Sequence, residues 1–222
     1  PIHCISTQTE AQPATIYWNY NCGDNPPGGT PTTNGANLLV TGTTSEFTLL
    51  FLTGSVPGGL FFSGWDNSNF SATAASAGIH HPEGSHKRIS FGNARQPLAG
   101  NCLPGQQCLR VDWTTGVTEA GSSGSGIWIG NPADAGGPRL IGNLIGGQSA
   151  CGASPSEMWD VYGRFSVTYQ SIATFLEGTA CVTSLSSTSQ NIAGAGGNGK
   201  GVAGGDKEAK RLAGLKQIPI AW

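Results

Sequence analysis

The sequence predicts a mostly β protein built from many short strands, and three observations carry that expectation. Glycine and proline are abundant, 35 and 13 of 222 residues, and punctuate the chain with turns. Charged residues make up only 11%, while Thr, Ser and Asn are frequent, which suits turn-linked strands better than long helices. The apolar runs are short and rich in β-branched and aromatic residues, as in Thr15-Ile-Tyr-Trp-Asn-Tyr20. Hydrophobic residues, at 37%, suffice for a packed core, and the length admits one all-β domain or two small ones.

Taken in order, residues 15–20 form the first expected strand, and a Pro-, Gly- and Asn-rich loop follows at 23–34. Residues 37–41 and 47–52 then read as a hairpin around Gly42-Thr-Thr-Ser-Glu46. Further strands are expected within 60–65, 78–81, 88–91, 109–113, 127–129, 139–145 and 162–168. Cys102 and Cys108, close in sequence, can bridge and close a short loop. Residues 169–176 have the spacing of a short amphipathic helix, with Ile172, Phe175 and Leu176 on one side. The folded part is expected to end near Thr183. Residues 184–206, rich in Ser, Gly and Ala, bury too little surface to offset ordering entropy and read with 207–222 as a disordered tail.

A formal net charge of −2 gives no footprint for nucleic acid and no attraction to a membrane surface. No apolar run approaches the roughly 20 residues of a membrane span. The six cysteines include no Cys-x-x-Cys pair and are spread like disulfide partners, which points to an oxidising, extracellular or periplasmic setting. His80, His81 and His86 lack the Cys, Asp or Glu companions of a metal site, so no metal and no cofactor is expected; His80 and His81 read as parts of a surface turn. The stretch Gly194-Ala-Gly-Gly-Asn-Gly-Lys-Gly201 nearly spells a phosphate-binding loop. It has Gly201 where a magnesium-ligating Ser or Thr belongs, and no strand precedes it.

The chemistry is concentrated in Glu119-Ala-Gly-Ser-Ser-Gly-Ser-Gly-Ile-Trp128. A flexible linker has a similar Gly and Ser content, but here strand-like Val111-Asp-Trp113 precedes and Ile127-Trp-Ile129 follows. Gly121 and Gly124 permit backbone conformations that aim amide groups at a developing negative charge, so Ser123 is the candidate nucleophile of an acyl transfer.

This motif, together with Tyr17-Trp-Asn-Tyr20, Ser45-Glu-Phe-Thr-Leu-Leu50, Gly64-Trp-Asp66, Ile79-His-His-Pro82, Lys87-Arg-Ile-Ser90, Gly116-Val-Thr-Glu119 and Asp160-Val-Tyr-Gly-Arg164, resembles the bacterial lysyl endopeptidases. These are a secreted branch of the chymotrypsin-like serine proteases, and the resemblance runs from His3 to about Phe175. It implies an all-β fold of two six-stranded antiparallel barrels. Residues 1–87 would be the remnant of an incomplete first barrel, and residues 88–183 the second barrel with its terminal helix. It implies Ser123 as nucleophile, His3 as general base and Glu46 as the orienting acid, where the family has Asp. Gly121 and Ser123 would supply the oxyanion-hole amides. The implied activity is cleavage of protein or peptide substrates after basic residues, by a monomer, with Asp160 at the base of the pocket and Trp65 and Leu144-Ile-Gly146 along its walls. The family's pocket has a His where Ile145 stands, which weakens the preference for Lys over Arg.

The resemblance also implies strands and cysteine partners ahead of His3, so that Cys4, Cys22 and Cys151 are left without their mates, while Cys181 has no assigned partner. Two other readings follow from Glu46 and the missing front: an inactive protease-like binding domain, and a truncated product without function.

Overall fold

A closed, six-stranded antiparallel β-barrel dominates the computed structural model, which describes residues 1–21, 30–69, 73–95, 102, 104–131, 137–176, 184–185 and 188–189. Cys22, Cys181, the glycine-rich stretch at 194–201 and residues 190–222 lie outside the described residues.

Before the barrel, the chain forms a short helix, α1 (Gln8–Ala11), and two separate antiparallel pairs. One pair joins β1 (Thr15–Tyr17) to β2 (Thr32–Asn34), and the other is a hairpin of β3 (Ala36–Gly42) and β4 (Phe47–Leu52). Helix α1 starts on a capping box in which Thr7 accepts from the Glu10 amide and the Glu10 carboxylate accepts from the Thr7 amide. The Gln8 side chain ties α1 to β3 through the Ala36 carbonyl and the Leu38 amide. Ala11, Trp18, Ala36, Leu52 and Leu60 form the core of this part. Among the described residues it does not close into a barrel.

Two short strands, β5 (Phe61–Phe62) and β6 (Gly64–Asp66), lead to the barrel strands β7 (Ala74–His80), β8 (Arg88–Arg95), β9 (Cys108–Thr115), β10 (Gly126–Ile129), β11 (Arg139–Gly147) and β12 (Trp159–Arg164). Their order around the barrel is β10-β7-β8-β9-β12-β11, closed by the β10–β11 pairing. Strand β7 pairs with β8 along its whole length, so the barrel begins ahead of the boundary expected at residue 88.

Side chains alternate as a half-buried strand requires: Leu109, Val111 and Trp113 of β9 point in, and Arg110 and Asp112 face outward and pair with each other. Facing Trp113, strands β7 and β8 offer Gly78 and Gly92. A Cβ on either would come within 2.8 and 3.0 Å of the indole ring, so one large side chain fills the space that two small residues leave.

The last barrel strand was expected at 162–168 and the helix from 169, but β12 ends at Arg164 and helix α2 (Phe165–Leu176) starts at once. Phe165, Thr168 and Ile172 are buried along α2, at spacings that one helix face satisfies and a strand does not. Phe165 and Ile172 pack with Phe47, Trp65, Trp128 and Leu140, and this cluster joins hairpin, barrel and helix. The chain also pairs beyond the end expected at Thr183. β13 (Ser184–Leu185) runs antiparallel to β6, and β14 (Thr188–Ser189) antiparallel to β5.

Cys102 and Cys108 form the expected disulfide, with Cα atoms 6.1 Å apart, while Cys4 and Cys151 are free thiols on the surface. Next to the bridge, the Gln107 amide donates to the Thr44 carbonyl and the Arg164 amide to the Gln107 carbonyl, which holds the β3–β4 turn against the barrel. The same turn lies so close to β12 that a Cβ on Gly163 would overlap the Ser45 carbonyl. That close approach, with the buried Ser45–Thr168 hydrogen bond of 2.7 Å, seats Glu46 on the barrel.

Candidate active site

The serine segment is a pair of consecutive turns slung between β9 and β10. The Ser122 amide donates to the Glu119 carbonyl and the Ser125 amide to the Ser122 carbonyl, at 3.1 and 3.0 Å. Gly121 and Gly124 sit at φ of 84° and 83°, left-handed values open to glycine at little cost. The far end is laced to β11 by Gly124 N to Leu144 O and Leu144 N to Ser125 O, and the near end by Glu83 N to Ala120 O. These bonds use the amides of Ser122 and Gly124. The amides of Gly121 and Ser123 meet no acceptor among the described residues, the alternation that leaves two donors for an oxyanion.

Glu46 is buried at 6% exposure, at a φ of 53° that is uncommon for a residue with a side chain. Its Oε1 accepts from the His3 amide at 3.2 Å and pairs with His3 Nδ1 at 2.8 Å, so the extra methylene of Glu is accommodated. Asn143 Nδ2 donates to the Glu46 carbonyl, and Glu46 Oε2 is buried without a partner among the described residues. The segment carrying His3 reaches the serine turn through Pro1, whose nitrogen would lie 3.2 Å from a Cβ on Gly124. His3, Glu46 and the turn at 121–124 are thus brought together. No hydrogen bond joins His3 to Ser123 among the described residues.

Leu144 is bound to the serine turn through its backbone, and β11 carries a bulge between Leu144 and Gly146, where open space faces Gly146. Asp160 is opposite Gly147, near the end of this stretch. At 1% exposure its carboxylate is met by neutral donors. They are Trp113 Nε1 at 2.5 Å, Thr118 Oγ1 at 2.8 Å, Ser149 Oγ at 2.6 Å and the Ser149 amide at 3.3 Å. Such a shell satisfies a buried charge without a counter-ion. Trp65, expected along the pocket, is buried in the core cluster of Phe47, Trp128, Leu140, Phe165 and Ile172. It pairs with Leu140, seven positions before Gly147 and so roughly 20 Å along the strand from Asp160, and packs on Phe165 and Tyr169.

His80 departs furthest from its expected place in a surface turn. It is buried at 3% exposure, with Nδ1 2.9 Å from Ser122 Oγ and Nε2 3.2 Å from Ser90 Oγ. His81 does lie in the turn, bonded to the Ser85 carbonyl and stacked on Tyr20. Residues 82–84, which begin with Pro82 and carry positive φ at Glu83 and Gly84, aim Glu83 N at the serine segment. The sequence signal for His80 was its place in Ile79-His-His-Pro82, at the end of a strand whose alternate residues Ser76 and Gly78 are small and inward.

Burial lowers the pKa of His80 below 6.5, with His81 and Arg88 acting in the same direction and Asp160 and Glu119 opposing. The unfolded chain therefore takes up a proton near pH 6.5 that the folded chain refuses. The stability from neutral His80 is present above that pH and is lost as pH falls through the folded-state pKa. Urea midpoints measured between pH 7 and 5 are expected to fall more steeply for the native chain than for His80→Asn. Equal slopes would refute the assignment.

A family profile described as "Lysyl endopeptidase, C-terminal domain" matches residues 2–163. A protein of Pseudomonas aeruginosa named lysyl endopeptidase is 36% identical over 181 residues, covering 78% of this chain and 38% of its own length. The chain thus spans about two fifths of that relative, and on the extent of the family match it belongs to the lysyl endopeptidase family.

Proposed function

We propose that this chain is the catalytic part of a secreted serine endopeptidase that cleaves after Lys, and also after Arg, through an acyl-enzyme. Ser123 Oγ attacks the scissile carbonyl as its proton passes to His3 Nε2, and the same proton later reaches the leaving amine. Glu46 on Nδ1 fixes the imidazole tautomer and stabilises the imidazolium. The amides of Gly121 and Ser123 receive the oxyanion. Asp160 supplies negative charge at the end of the Leu144-Ile-Gly146 stretch, and no cofactor takes part. The Cys102–Cys108 bridge suits an oxidising compartment outside the cytoplasm.

The observation that carries this reading is the docking of the His3–Glu46 pair beside a glycine-shaped turn whose Gly121 and Ser123 amides meet no acceptor among the described residues. The missing Ser123–His3 bond favours a second reading, a protease-like binding domain. Treatment with a fluorophosphonate, followed by peptide mapping, separates the two. A stoichiometric adduct on Ser123, with cuts after Lys and Arg in a mixed peptide library, is the expected result. A folded chain that carries no adduct would make it a binding domain.

A further inference from the structure

The serine turn is held from three sides. Strand β11 grips its far end through Leu144, residues 82–84 grip its near end through Glu83, and the third hold comes from beneath, through the Ser122 side chain. Ser122 is the residue between the two uncommitted amides. Its hydroxyl is buried at 1% exposure, so it must find a partner or lose its hydration without return. That partner is His80, at the end of β7.

The direction of the bonds follows from counting protons. Ser90 Oγ donates to the Val117 carbonyl at 2.8 Å, which uses its only hydrogen, so Ser90 can only accept from His80 Nε2. With the proton of a neutral imidazole placed on Nε2, Nδ1 is an acceptor and takes the Ser122 hydroxyl hydrogen. One chain of donors thus runs from Ser122 through His80 and Ser90 to the backbone at Val117, with every hydrogen assigned. The low pKa of the buried imidazole keeps it in this neutral form.

We infer that His80 is a positioning residue for catalysis: by accepting the Ser122 hydroxyl it fixes the turn so that the Gly121 and Ser123 amides converge on the oxyanion. This rests on the proteolytic reading above and adds to it. His80 touches neither substrate nor nucleophile in this role; it acts through Ser122.

The test compares two variants that each keep half of the imidazole. In His80→Asn the side-chain oxygen takes the place of Nδ1 and still accepts from Ser122. In His80→Gln the amide reaches Ser90 and leaves Ser122 without its acceptor. Fluorophosphonate labelling rates, kcat and KM for a lysine ester, and melting temperatures are measured on the whole chain. His80→Gln is expected to label about 100-fold more slowly, the scale of effect for a misplaced catalytic group. Its kcat falls in parallel and its KM barely changes, while His80→Asn recovers most of the rate. If the His80 variants fail to fold, Ser122→Ala, which removes one buried hydroxyl, should show the same slow labelling. Labelling of His80→Gln, or of Ser122→Ala where it must stand in, at the native rate overturns the role. So does equal slowing in the Asn and Gln variants. A native chain that never labels overturns the proteolytic reading and this role with it.

Discussion

Glu46→Gln should lower kcat/KM for a lysine ester by about 10,000-fold, the scale seen when the acid of such a triad becomes an amide. The carboxylate binds His3 twice through one oxygen, once at the backbone and once at Nδ1. The backbone bond survives the change, because an amide oxygen can still accept it. What is lost is the charge that favours imidazolium at the moment the Ser123 proton is transferred. Glu46→Asp makes the complementary case. It restores the family's acid but withdraws the carboxylate by about one methylene from a ring now held at 2.8 Å, and about a 100-fold loss is expected. Steady-state kinetics on purified variants with unchanged melting temperature checks both. Activity within tenfold of the native chain for Glu46→Gln would remove Glu46 from the mechanism.

Asp160→Ala should cost about 3 kcal/mol of folding stability, because it strands two buried donors, the Trp113 indole and the Thr118 hydroxyl, and takes an acceptor from the half-buried Ser149, whose hydroxyl can still donate to the Thr118 carbonyl. Asp160→Asn keeps the volume and one acceptor oxygen, and is expected to cost about half as much. Denaturant midpoints provide the check. The two variants also separate structure from specificity. If the charge of Asp160 draws basic side chains to the Leu144-Ile-Gly146 stretch, Asp160→Asn will fold and lose its preference for cleavage after Lys and Arg. An Asp160→Asn protein that folds and still prefers basic residues would leave Asp160 as a support for Trp113, Thr118 and Ser149 alone.

Much of the fold was legible because it depends on local physics. The β3–β4 hairpin, the alternation along β9 and the short disulfide loop each follow from neighbours in sequence. The capping box that starts α1 is equally local, and Ser6-Thr-Gln-Thr-Glu10 announces it, but so short a helix has no apolar period to draw attention to it. The helix α2 was placed too late because Tyr162-Gly-Arg-Phe-Ser-Val-Thr168 looks strand-like. Its residues are settled by which face meets Trp65 and Phe47. On β8, Ile89 and Phe91 are exposed at 53% and 47%, while Ser90 and Gly92 face inward. Hydrophobicity alone gives the opposite register, and the bulk of Trp113 with the buried His80 chain overrides it.

The site divides along the same line. By itself the sequence determined the candidate nucleophile and its glycines, because a backbone that must turn with positive φ twice in four residues writes its need into the residue types. Only the tertiary structure decided that Glu46 meets His3 across 43 positions, that Trp65 belongs to the core, that neutral donors surround Asp160, and that His80 supports Ser122. These are contacts between residues distant in the chain. Their free energy depends on burial and on the exact partners available, which no stretch of sequence contains.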